Sequence, residues 1–326
     1  MSPPQFSIVM PTYNHGRWID TALRSIFDQG VSDLEVLVMD SLSTDDTPAI
    51  LERYVGRITW QRRKDKGQAD AINLGLAAAQ GEIVAWLNSD DTYLPGAFAR
   101  VQAAFTADPS LDFVYGDALE IDQEGTILTP NLFTEDCTRE RFLFSHDYIC
   151  QPTLFVRRAA LARVGPLRAE LRWFLDYQRL TRFFAAGLRG RRLPHFLAAN
   201  RDHPQTKTNS GGLARWWEIM GVLAANPGPG PLLPARRCIW IYSLEFVIKT
   251  INAAPWGATP DSSADARKTR AAILNTLNRW FMKLVRPRSF DDIVQRYHRD
   301  VAAHGSNVGD LWKVHGKRAG LFPEPG

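Results

Sequence analysis

The sequence predicts an α/β protein whose mostly parallel sheet is flanked by helices and followed by a helical segment. As far as Leu128, short runs of β-branched and apolar residues alternate with longer patterns of helical periodicity. Strands separated by helices of that length are typical of parallel sheets that are covered on both faces. Polar residues follow directly after several predicted strands, and ligands bind at that edge of such sheets. Beyond Gly211 the pattern is almost entirely helical.

The first third of the chain supplies most of the predicted sheet. We expect strands over 6–10, 34–40, 58–61, 82–87 and 111–116, with helices over 17–29, 47–54, 68–79 and 95–107 between them. The first helix places Ile19, Leu23 and Ile26 on one face. Pro95 suits the first turn of the fourth helix, because proline is favoured there. Gly125 in the turn predicts a hairpin over 118–128.

The remaining elements divide the chain into two regions, 1–210 and 211–326. A strand over 151–156, helices over 158–164 and 176–186 and a strand over 192–198 complete the first region. Helices over 213–225, 236–251, 264–285 and 290–303 make up the second. The Pro- and Gly-rich stretch 225–234 is predicted to be a linker.

Composition indicates an ordered protein of the cytoplasm. With 326 residues, 45% of them hydrophobic and 23% charged, the chain can bury a substantial core. The formal charge of +4 is mild, so no nucleic-acid partner is expected. Cys137, Cys150 and Cys238 have no paired spacing, which argues against disulfides and against a zinc site. No secretory signal and no run of roughly 20 apolar residues is found, so we expect a cytoplasmic protein, in solution or on a membrane surface.

The sharpest single feature is the segment LNSDDTYLP at 87–95. Asp90 and Asp91 follow a hydrophobic strand, and adjacent carboxylates repel each other unless a cation neutralises them. Mg²⁺ or Mn²⁺ would do so, because these ions prefer oxygen ligands and keep positions open for phosphate groups. The alternative is that one of the pair only caps the following helix.

Other polar residues at the ends of strands are candidates for binding a nucleotide. Asp40 is placed to accept a hydrogen bond from a ribose hydroxyl or a base, although a turn is the simpler interpretation. Tyr13 in PTYN, at 11–14, either stacks on a base or packs at the end of the strand. The helix that follows DKG at 65–67 offers its N-terminus to a diphosphate, near Lys66. The glycine spacings of a P-loop and of a dinucleotide-binding turn are absent.

Taken in order, these segments resemble the glycosyltransferases of family 2, which have the GT-A fold. The resemblance rests on PTYN at 11–14, MDSLSTDDT at 39–47, DKGQADAIN at 65–73, NSDD at 88–91, YGD at 115–117, QPTLFVRR at 151–158, LDYQRLTRF at 175–183 and RDHPQTKT at 201–208. Each segment is weak alone, but their shared order over about residues 5–210 is specific. It implies a Rossmann-like GT-A domain at 1–210 and inverting transfer of a sugar from a nucleoside diphosphate to a hydroxyl.

The resemblance also implies roles for individual residues. The residues placed at the nucleoside, the diphosphate or the donor sugar are Pro11, Thr12, Tyr13, Asp40, Lys66, Asp70, Asn88 and Asp90. The residues placed at Mg²⁺ or Mn²⁺ are Asp90, Asp91 and His203. Asp176 would be the base that takes the proton of the acceptor hydroxyl, as inversion requires. Without the resemblance, Asp176 fits a helix cap equally well, and a buried structural histidine is the better interpretation of His203.

The chain departs from the family pattern at two places. Asn88 replaces the first acid of the acidic motif, so it brings an oxygen but no charge to the metal. Ser41 and Leu42 stand where glycines are common, and a leucine there restricts the turn beside the ribose. UDP is the carrier that the resemblance favours, while GDP and dTDP stay open.

The C-terminal helices contain an aromatic stripe, in which Trp240, Leu244, Val247 and Ile251 share one helical face. Such a stripe is more often core or a homodimer contact than a membrane-surface helix, and we favour the first two. A membrane contact would suit a lipid-linked acceptor in cell-envelope or polysaccharide biosynthesis, and a glycan is the other class of acceptor. A non-catalytic sugar-nucleotide sensor or scaffold and a metal-dependent nucleotidyltransferase are the alternative functions.

Overall fold

The structure, a computed structural model, describes residues 4–138, 142, 146–207, 210–225, 233–253, 263–285 and 289–312. The strands are β1 (Phe6–Thr12), β2 (Leu34–Asp40), β3 (Thr59–Arg62), β4 (Ile83–Trp86), β5 (Thr92–Tyr93), β6 (Phe113–Ile121), β7 (Ile127–Pro130), β8 (Phe155–Arg157) and β9 (Gly190–Arg201). The helices are α1 (Ile19–Phe27), α2 (Thr47–Glu52), α3 (Gln68–Ala78), α4 (Ala97–Ala107), α5 (Arg158–Val164), α6 (Leu175–Ala185), α7 (Gly212–Ala225), α8 (Leu233–Ala253), α9 (Ala264–Val285) and α10 (Phe290–Tyr297). A 3₁₀ turn (Gln151–Thr153) precedes β8, and a π-helical turn (His298–Ala302) follows α10.

The described strands form one nine-stranded sheet, in the order β3-β2-β1-β4-β8-β6-β9-β5, with β7 paired to β6. Strands β1 to β4 run parallel, so their carboxyl ends lie at one edge. β6 and β9 are parallel to each other as well. β8 lies antiparallel between β4 and β6, and β5 and β7 add further antiparallel pairs. The α/β fold class is confirmed, but the second half of the sheet is mixed rather than mostly parallel.

Most of the predicted elements agree with the structure to within a few residues at their ends. Strand 34–40 and helix 158–164 agree at both ends. The predicted strand 151–156 begins instead with a 3₁₀ turn, because Pro152 has no N–H to give to a sheet. Pro95 lies before α4, which starts after Gly96 at a φ of 74°. The predicted linker at 225–234 lies largely outside the described residues.

Apolar layers cover both faces of the parallel half of the sheet. On one face, Leu23 of α1 and Phe98 of α4 pack with Phe6 of β1. On the other face, Ile72 of α3 packs with Val9. β1 serves both layers because successive side chains of a strand point to opposite faces. The packed layers leave the carboxyl edge as the part of this sheet that is open to a ligand.

Gly75 allows α3 to approach β1 closely, since a Cβ at this position would lie 2.3 Å from Cγ1 of Val9. We expect Gly75→Ala to destabilise the protein by about 1–3 kcal/mol, because overpacking forces the helix away from the sheet. Thermal unfolding measures the change. Gly221→Ala in α7 is the matched control: nothing lies within 4 Å of its added Cβ, and alanine favours the helix. Equal melting temperatures for the two variants would contradict the close packing of α3.

The described C-terminal segment at 289–312 packs against the second half of the sheet. Ile293 and Val301 join Leu119 of β6 in one apolar cluster. Beside this cluster, Arg296 forms an ion pair with Asp117, and both residues are buried. A buried ion pair requires its partners to stay together, because either charge alone would be costly. The C-terminal helices therefore share a core with the sheet.

Helix α8 presents its predicted stripe to solvent. Trp240 is 67% exposed and Val247 is 42% exposed. The helix instead buries Ile241 and Tyr242, and the ring of Tyr242 packs edge-on against Phe174 at 5.1 Å. The core interpretation of the stripe is therefore wrong, because the neighbouring face of the helix makes the packing contact. Within the described residues, no helix has the length and the hydropathy needed to span a membrane.

Candidate active site

A cavity of about 900 Å³ opens at the carboxyl edge of the parallel strands. This volume is typical of sites for small molecules. The predicted site residues that line it are Pro11, Thr12, Tyr13, Asn88, Asp90, Asp91 and Asp176. The predicted site residues outside the lining are Asp40, Lys66, Asp70 and His203. The cavity thus brings together residues that are far apart in the sequence.

The loops after β1 and β2 hold each other through Asn14. Its backbone N–H donates to Oγ of Ser43 (2.9 Å), and its Oδ1 accepts the N–H of Thr44 (2.8 Å). Asn14 and Leu42 have positive φ angles of 55° and 60°. Side chains such as leucine are disfavoured in this region, so the predicted restriction of this turn has a basis in the backbone.

Asp40 ends β2 with its carboxylate buried beneath these loops. Its Oδ1 accepts the N–H of Ser43 (2.8 Å), and Nε of Arg62 lies 3.5 Å from its Oδ2. Among the described residues Oδ2 has no hydrogen-bond partner, although Asp40 is only 1% exposed. A buried acceptor without a donor is costly, so a ligand N–H or hydroxyl would stabilise it. Tyr13 at the end of β1 is 57% exposed, which leaves its ring free to stack on a base.

At the start of α3, the residues that line the cavity are not the predicted Lys66 and Asp70. Oδ2 of Asp70 accepts the backbone N–H of Lys66 (3.1 Å), and Oδ1 of Asp65 accepts that of Gly67 (2.9 Å). The cavity is lined by Asp65, Gly67 and Gln68. Asp70 therefore shapes the turn into the helix, and the backbone of this turn lies at the site instead of the Lys66 side chain.

Asp90, in the acidic turn, contacts His203, which follows β9. Oδ2 of Asp90 lies 3.1 Å from Nε2 of His203, which is 5% exposed. The imidazole also packs on Trp18, with ring centroids 4.5 Å apart. Burial acts to raise the pKa of Asp90, but the hydrogen bond with His203 and the nearby His15 lower it below its usual value. Asp90 is therefore an ionised carboxylate beside an imidazole.

Asp91 has a different environment from Asp90. Its Oδ1 accepts the backbone N–H of Arg201 (2.9 Å), and its Oδ2 accepts Nδ2 of Asn88 (3.1 Å). Burial, and then the charge of Asp90, raise the pKa of Asp91 well above its usual range. The side chain of Arg201 in turn donates to the carbonyl of Asp90 (2.7 Å). Asp91 thus connects the acidic turn to the end of β9.

The residues of this turn fit a divalent cation that also binds phosphate. No three Asp, Glu, His or Cys side chains of the described residues cluster as a complete metal site. Asp90 and His203 would supply one oxygen and one nitrogen ligand, and diphosphate oxygens with water would complete the shell. Mg²⁺ is commonly held in this way, by one or two protein ligands and its substrate.

A chain of hydrogen bonds leads from the acidic turn to a lysine that sequence reasoning had not singled out. Oδ1 of Asn88 accepts Nε2 of Gln68 (2.7 Å), and Oε1 of Gln68 accepts Nζ of Lys207 (2.7 Å). Burial lowers the pKa of Lys207, which lines the cavity. The sequence did contain a signal for Lys207, because this residue lies in the matched segment RDHPQTKT, four residues after His203. These hydrogen bonds hold the ammonium group of Lys207 beside the start of α3, where it could stabilise the negative charge of a diphosphate.

Asp176 lines the same cavity from the first turn of α6. Its Oδ1 accepts the N–H of Tyr177 (2.8 Å), but α6 begins at Leu175 and Phe174 is its N-cap residue, so Asp176 lies inside the first turn and is not the helix cap of the alternative interpretation. Burial raises the pKa of Asp176, and the N–H of Tyr177 and the cations Arg215 and Lys207 limit this rise. Asp176 is therefore a stronger base than an ordinary aspartate.

A second group of polar residues in the cavity was missed by the sequence analysis. Glu120 accepts hydrogen bonds from Nδ2 of Asn131 and of Asn200, each at 3.0 Å. Asp147 and Cys150 lie in the same part of the lining. These residues come from the sheet and from the connection between β7 and β8, and no local motif marked them. Only the fold brings them to Asp176.

Two glycosyltransferases are among the curated relatives that are 31% identical to this chain. One is an uncharacterized glycosyltransferase of Nostoc sp., matched over 175 residues, which are 50% of this chain and 54% of that protein. The other is a PGL/p-HBAD biosynthesis glycosyltransferase of Mycobacterium tuberculosis, matched over 205 residues, which are 61% of this chain and 77% of that protein. The chain therefore spans about half of the first relative and over three quarters of the second.

Solved structures share the fold over nearly the whole chain. S. aureus TarS 1–349 in complex with UDP-GlcNAc has a TM-score of 0.56 at 19% identity, covering 98% of this chain and 93% of that one. The mannosyltransferase PcManGT from Pyrobaculum calidifontis, in complex with GDP-Man and Mn²⁺, has a TM-score of 0.60 at 20% identity, covering 92% and 89%. The model of the family described as glycosyl transferase family 2 matches residues 7–165. With this match, these relatives and the GT-A fold, the chain belongs to glycosyltransferase family 2.

Proposed function

We propose that this protein is an inverting glycosyltransferase, which moves a sugar from a nucleoside diphosphate, most readily UDP, to a hydroxyl of a glycan or lipid-linked acceptor. The observation that carries the proposal is that one cavity is lined by two separate acidic groups, Asp90 and Asp176. Asp90, paired with His203, belongs to the acidic turn after β4, whereas Asp176 belongs to α6. An in-line displacement needs separate groups for the leaving group and for the nucleophile, and the cavity contains both.

The donor side binds and orients the nucleoside diphosphate sugar. Asp40 would accept a hydrogen bond from the nucleoside at its Oδ2, which lies 3.5 Å from Nε of Arg62 and has no hydrogen-bond partner among the described residues. Tyr13 would stack its exposed ring on the base. The backbone at Gly67 and the ammonium of Lys207 face the diphosphate, on which negative charge grows as it departs. A bound Mg²⁺ or Mn²⁺ would neutralise part of that charge. Asp90 and His203 would hold the ion.

The acceptor side removes one proton. The acceptor oxygen forms a bond to the anomeric carbon as the bond from that carbon to the diphosphate oxygen breaks. The hydroxyl proton passes to a carboxylate oxygen of Asp176, whose raised pKa makes it a better base. The products are the glycosylated acceptor with inverted configuration and the nucleoside diphosphate.

A panel of donors tests this function directly. UDP-, GDP- and dTDP-linked sugars are incubated with the protein, Mn²⁺ or Mg²⁺ and a mixture of methyl pyranosides as acceptors, and nucleoside diphosphate release and thermal stabilisation are measured. UDP-GlcNAc and GDP-Man head the panel because the two solved relatives bind them. We expect one nucleotide class to stabilise the protein and to be turned over only with metal. Stabilisation without release from any donor would indicate the non-catalytic sensor instead, and pyrophosphate release would indicate a nucleotidyltransferase.

The region 211–326 is proposed to complete the acceptor side and to hold the enzyme on the inner face of the cell membrane. Helices α7, α8 and α9 each expose one tryptophan: Trp217 (63%), Trp240 (67%) and Trp280 (63%). The sequences of α8 and α9 contain eight basic and two acidic residues, a net charge of +6, whereas the whole chain carries +4. Exposed tryptophans on basic helices are typical of contact with an anionic lipid surface.

Co-sedimentation with vesicles tests the membrane contact. We expect the protein to pellet with vesicles that contain anionic phosphatidylglycerol and to stay in the supernatant with neutral phosphatidylcholine, because charge assists the insertion of the tryptophans. Trp240→Ser should weaken the binding, and Ser110→Ala, distant on a surface turn, is the control. Equal recovery of the protein from both supernatants would contradict the proposal. A concentration-dependent dimer that Trp240→Ser abolishes would assign the exposed face to a second copy instead.

A further inference from the structure

The acceptor part of the cavity contains a second carboxyl group beside Asp176. Asp147 lies in the connection between β7 and β8, and its side chain lines the cavity together with Asp176. The two carboxyl groups are close enough for the charge of Asp176 to act on Asp147. The family resemblance assigns no role to Asp147, and the mechanism described above does not use it.

The backbone N–H and Oδ1 of Asp147 make hydrogen bonds with other described residues, whereas its Oδ2 does not. Its backbone N–H donates to the hydroxyl of Tyr242 in α8 (3.0 Å), and its Oδ1 accepts the N–H of Ile149 (3.2 Å). No donor among the described residues bonds to Oδ2. Glu120, in the same lining, differs, because each of its oxygens accepts an amide of Asn131 or Asn200. Asp147 therefore resembles Asp176 and differs from Glu120, because one of its carboxyl oxygens is available to a ligand.

Asp147 and the aromatic rings near it provide the polar and the apolar contacts that a sugar ring needs. Phe133 and Phe281 line the cavity with it, and their rings meet edge to face with centroids 6.1 Å apart. Tyr242, which holds the Asp147 backbone, is also part of the lining. Aromatic rings give the apolar contact that a pyranose ring requires, and a carboxyl group bonds its hydroxyls. Helices α8 and α9 supply two of these rings, so the C-terminal region shapes this part of the cavity.

Two carboxyl groups in one buried chamber do not both ionise readily. Burial, and then the charge of Asp176, raise the pKa of Asp147 well above its usual range, whereas Arg215 and Lys207 favour ionised Asp176. Asp147 is then a neutral acid that both donates and accepts hydrogen bonds, as a sugar hydroxyl does. Cations also line the cavity, but among the described residues the carboxyl groups outnumber them eight to four, so the lining as a whole disfavours an anionic acceptor. The chamber therefore favours a neutral sugar.

We propose that Asp147 positions the acceptor, through a hydrogen bond between its Oδ2 end and a hydroxyl of a neutral pyranose, next to the hydroxyl that Asp176 deprotonates. This inference rests on the proposed glycosyltransferase function and names the acceptor class and the residue that selects it. The reaction itself is unchanged, because Asp147 neither gains nor loses a proton in the transfer.

The test uses the full chain, Mn²⁺ and the donor that turns over fastest in the panel. The acceptor probes are the methyl pyranosides of glucose, galactose and mannose, with methyl glucuronide as the anionic comparison. We expect a neutral probe to accelerate nucleoside diphosphate release and methyl glucuronide to fail. For Asp147→Ala we expect the KM for that neutral probe to rise about tenfold, as the loss of one hydrogen bond implies, while the KM for the donor changes less than twofold.

Two further variants separate positioning from a structural role. Asp147→Asn keeps a neutral group that donates and accepts, so its acceptor KM should lie within about threefold of wild type. Asp136→Asn is the matched control in the same connection, because Asp136 is 78% exposed and does not line the cavity, and Arg192, 3.5 Å away from it, keeps its closer ion pair with Asp117 at 2.7 Å. Asp147→Asn should keep the wild-type melting temperature, since its amide oxygen can still accept the N–H of Ile149 (3.2 Å).

An unchanged acceptor KM in Asp147→Ala would overturn the inference, and so would an equal rise in the KM values of donor and acceptor. Faster release with methyl glucuronide than with every neutral probe would overturn the acceptor class. In each case wild-type turnover would leave the glycosyltransferase function standing. Absence of release from every donor in the panel would instead refute that function and the inference with it.

Discussion

Asp176→Asn is expected to lower the rate of sugar transfer by roughly 10²–10⁴-fold, the contribution of a positioned general base. The amide cannot take the acceptor proton, yet its oxygen can still accept the N–H of Tyr177 as Oδ1 of Asp176 does at 2.8 Å. The start of α6 should therefore be preserved. Initial rates of nucleoside diphosphate release measure the loss. Calorimetric titration with donor should give a dissociation constant within about twofold of wild type, because donor and base occupy different parts of the cavity.

The pH dependence of transfer gives a second readout of the same group. Burial raises the pKa of Asp176, so this base takes up its proton at a higher pH than an ordinary aspartate. A base must be ionised to act, and activity should therefore fall as the pH decreases through the raised pKa and reach a plateau above it. The residual activity of Asp176→Asn should lack this acidic limb.

Glu170→Gln is the control for Asp176→Asn. Glu170 precedes α6, is 61% exposed and pairs with Arg168 at the surface (2.7 Å), so its charge contributes little to the site. We expect its rate and its pH profile to match those of the wild type. A similar loss of rate in both variants would mean that the effect comes from the general charge of this region, and Asp176 would then lose its assignment as the base.

The parallel half of the sheet was predictable because its signals are local. β1, β2 and β4 are short apolar runs, and a pattern of helical periodicity follows each strand from β1 to β4. The carboxyl ends of parallel strands meet at one edge, so Asp40 and Asp90 could be placed there before any coordinates were known. The residues of the acidic turn were found for the same reason.

The second half of the sheet depends on contacts that sequence patterns do not encode. β8 is three residues long and pairs with β4 and β6, which precede it by long stretches of chain. β5 has only two residues, and its pairing with β9 exists because the turn after Asp91 meets the end of that strand. Short strands with distant partners have little periodicity of their own, so their direction follows from the tertiary fold.

The candidate site divides in the same way between local and tertiary signals. Asp147 has ordinary sequence surroundings, and Lys207 was marked only as a member of the segment RDHPQTKT. The contacts that Tyr242 and Gln68 make with them show where the two residues lie in the site. The sequence also treated Asp90 and Asp91 alike, since adjacent acids look equivalent in a motif. The backbone of Arg201 distinguishes them, because it occupies an oxygen of Asp91 and leaves the imidazole of His203 to Asp90.

This distinction leads to the second large expected effect, that of Asp90→Asn. We expect the affinity for Mn²⁺ in the presence of the nucleoside diphosphate to fall at least about 10²-fold, because one of two protein ligands loses its charge. The transfer rate should fall by roughly 10³-fold, since the leaving diphosphate loses the metal that neutralises it. Isothermal titration with Mn²⁺ measures the affinity, and stabilisation by Mn²⁺ in thermal unfolding gives an independent readout.

Asp91→Asn separates a metal ligand from a structural carboxylate. Its remaining oxygen can still accept the N–H of Arg201 (2.9 Å), and the substitution replaces a carboxyl group whose ionisation is disfavoured by burial and by the charge of Asp90. We therefore expect Asp91→Asn to retain most of the Mn²⁺ affinity, with its effect seen mainly in the unfolding temperature. If Asp91→Asn lost metal as completely as Asp90→Asn, both acids would be ligands and the hydrogen bonds to Asp91 would have to open when the metal binds. If neither variant lost metal, the acidic turn would not be the cation site, and the charge of the leaving diphosphate would fall to Lys207 and the backbone at Gly67.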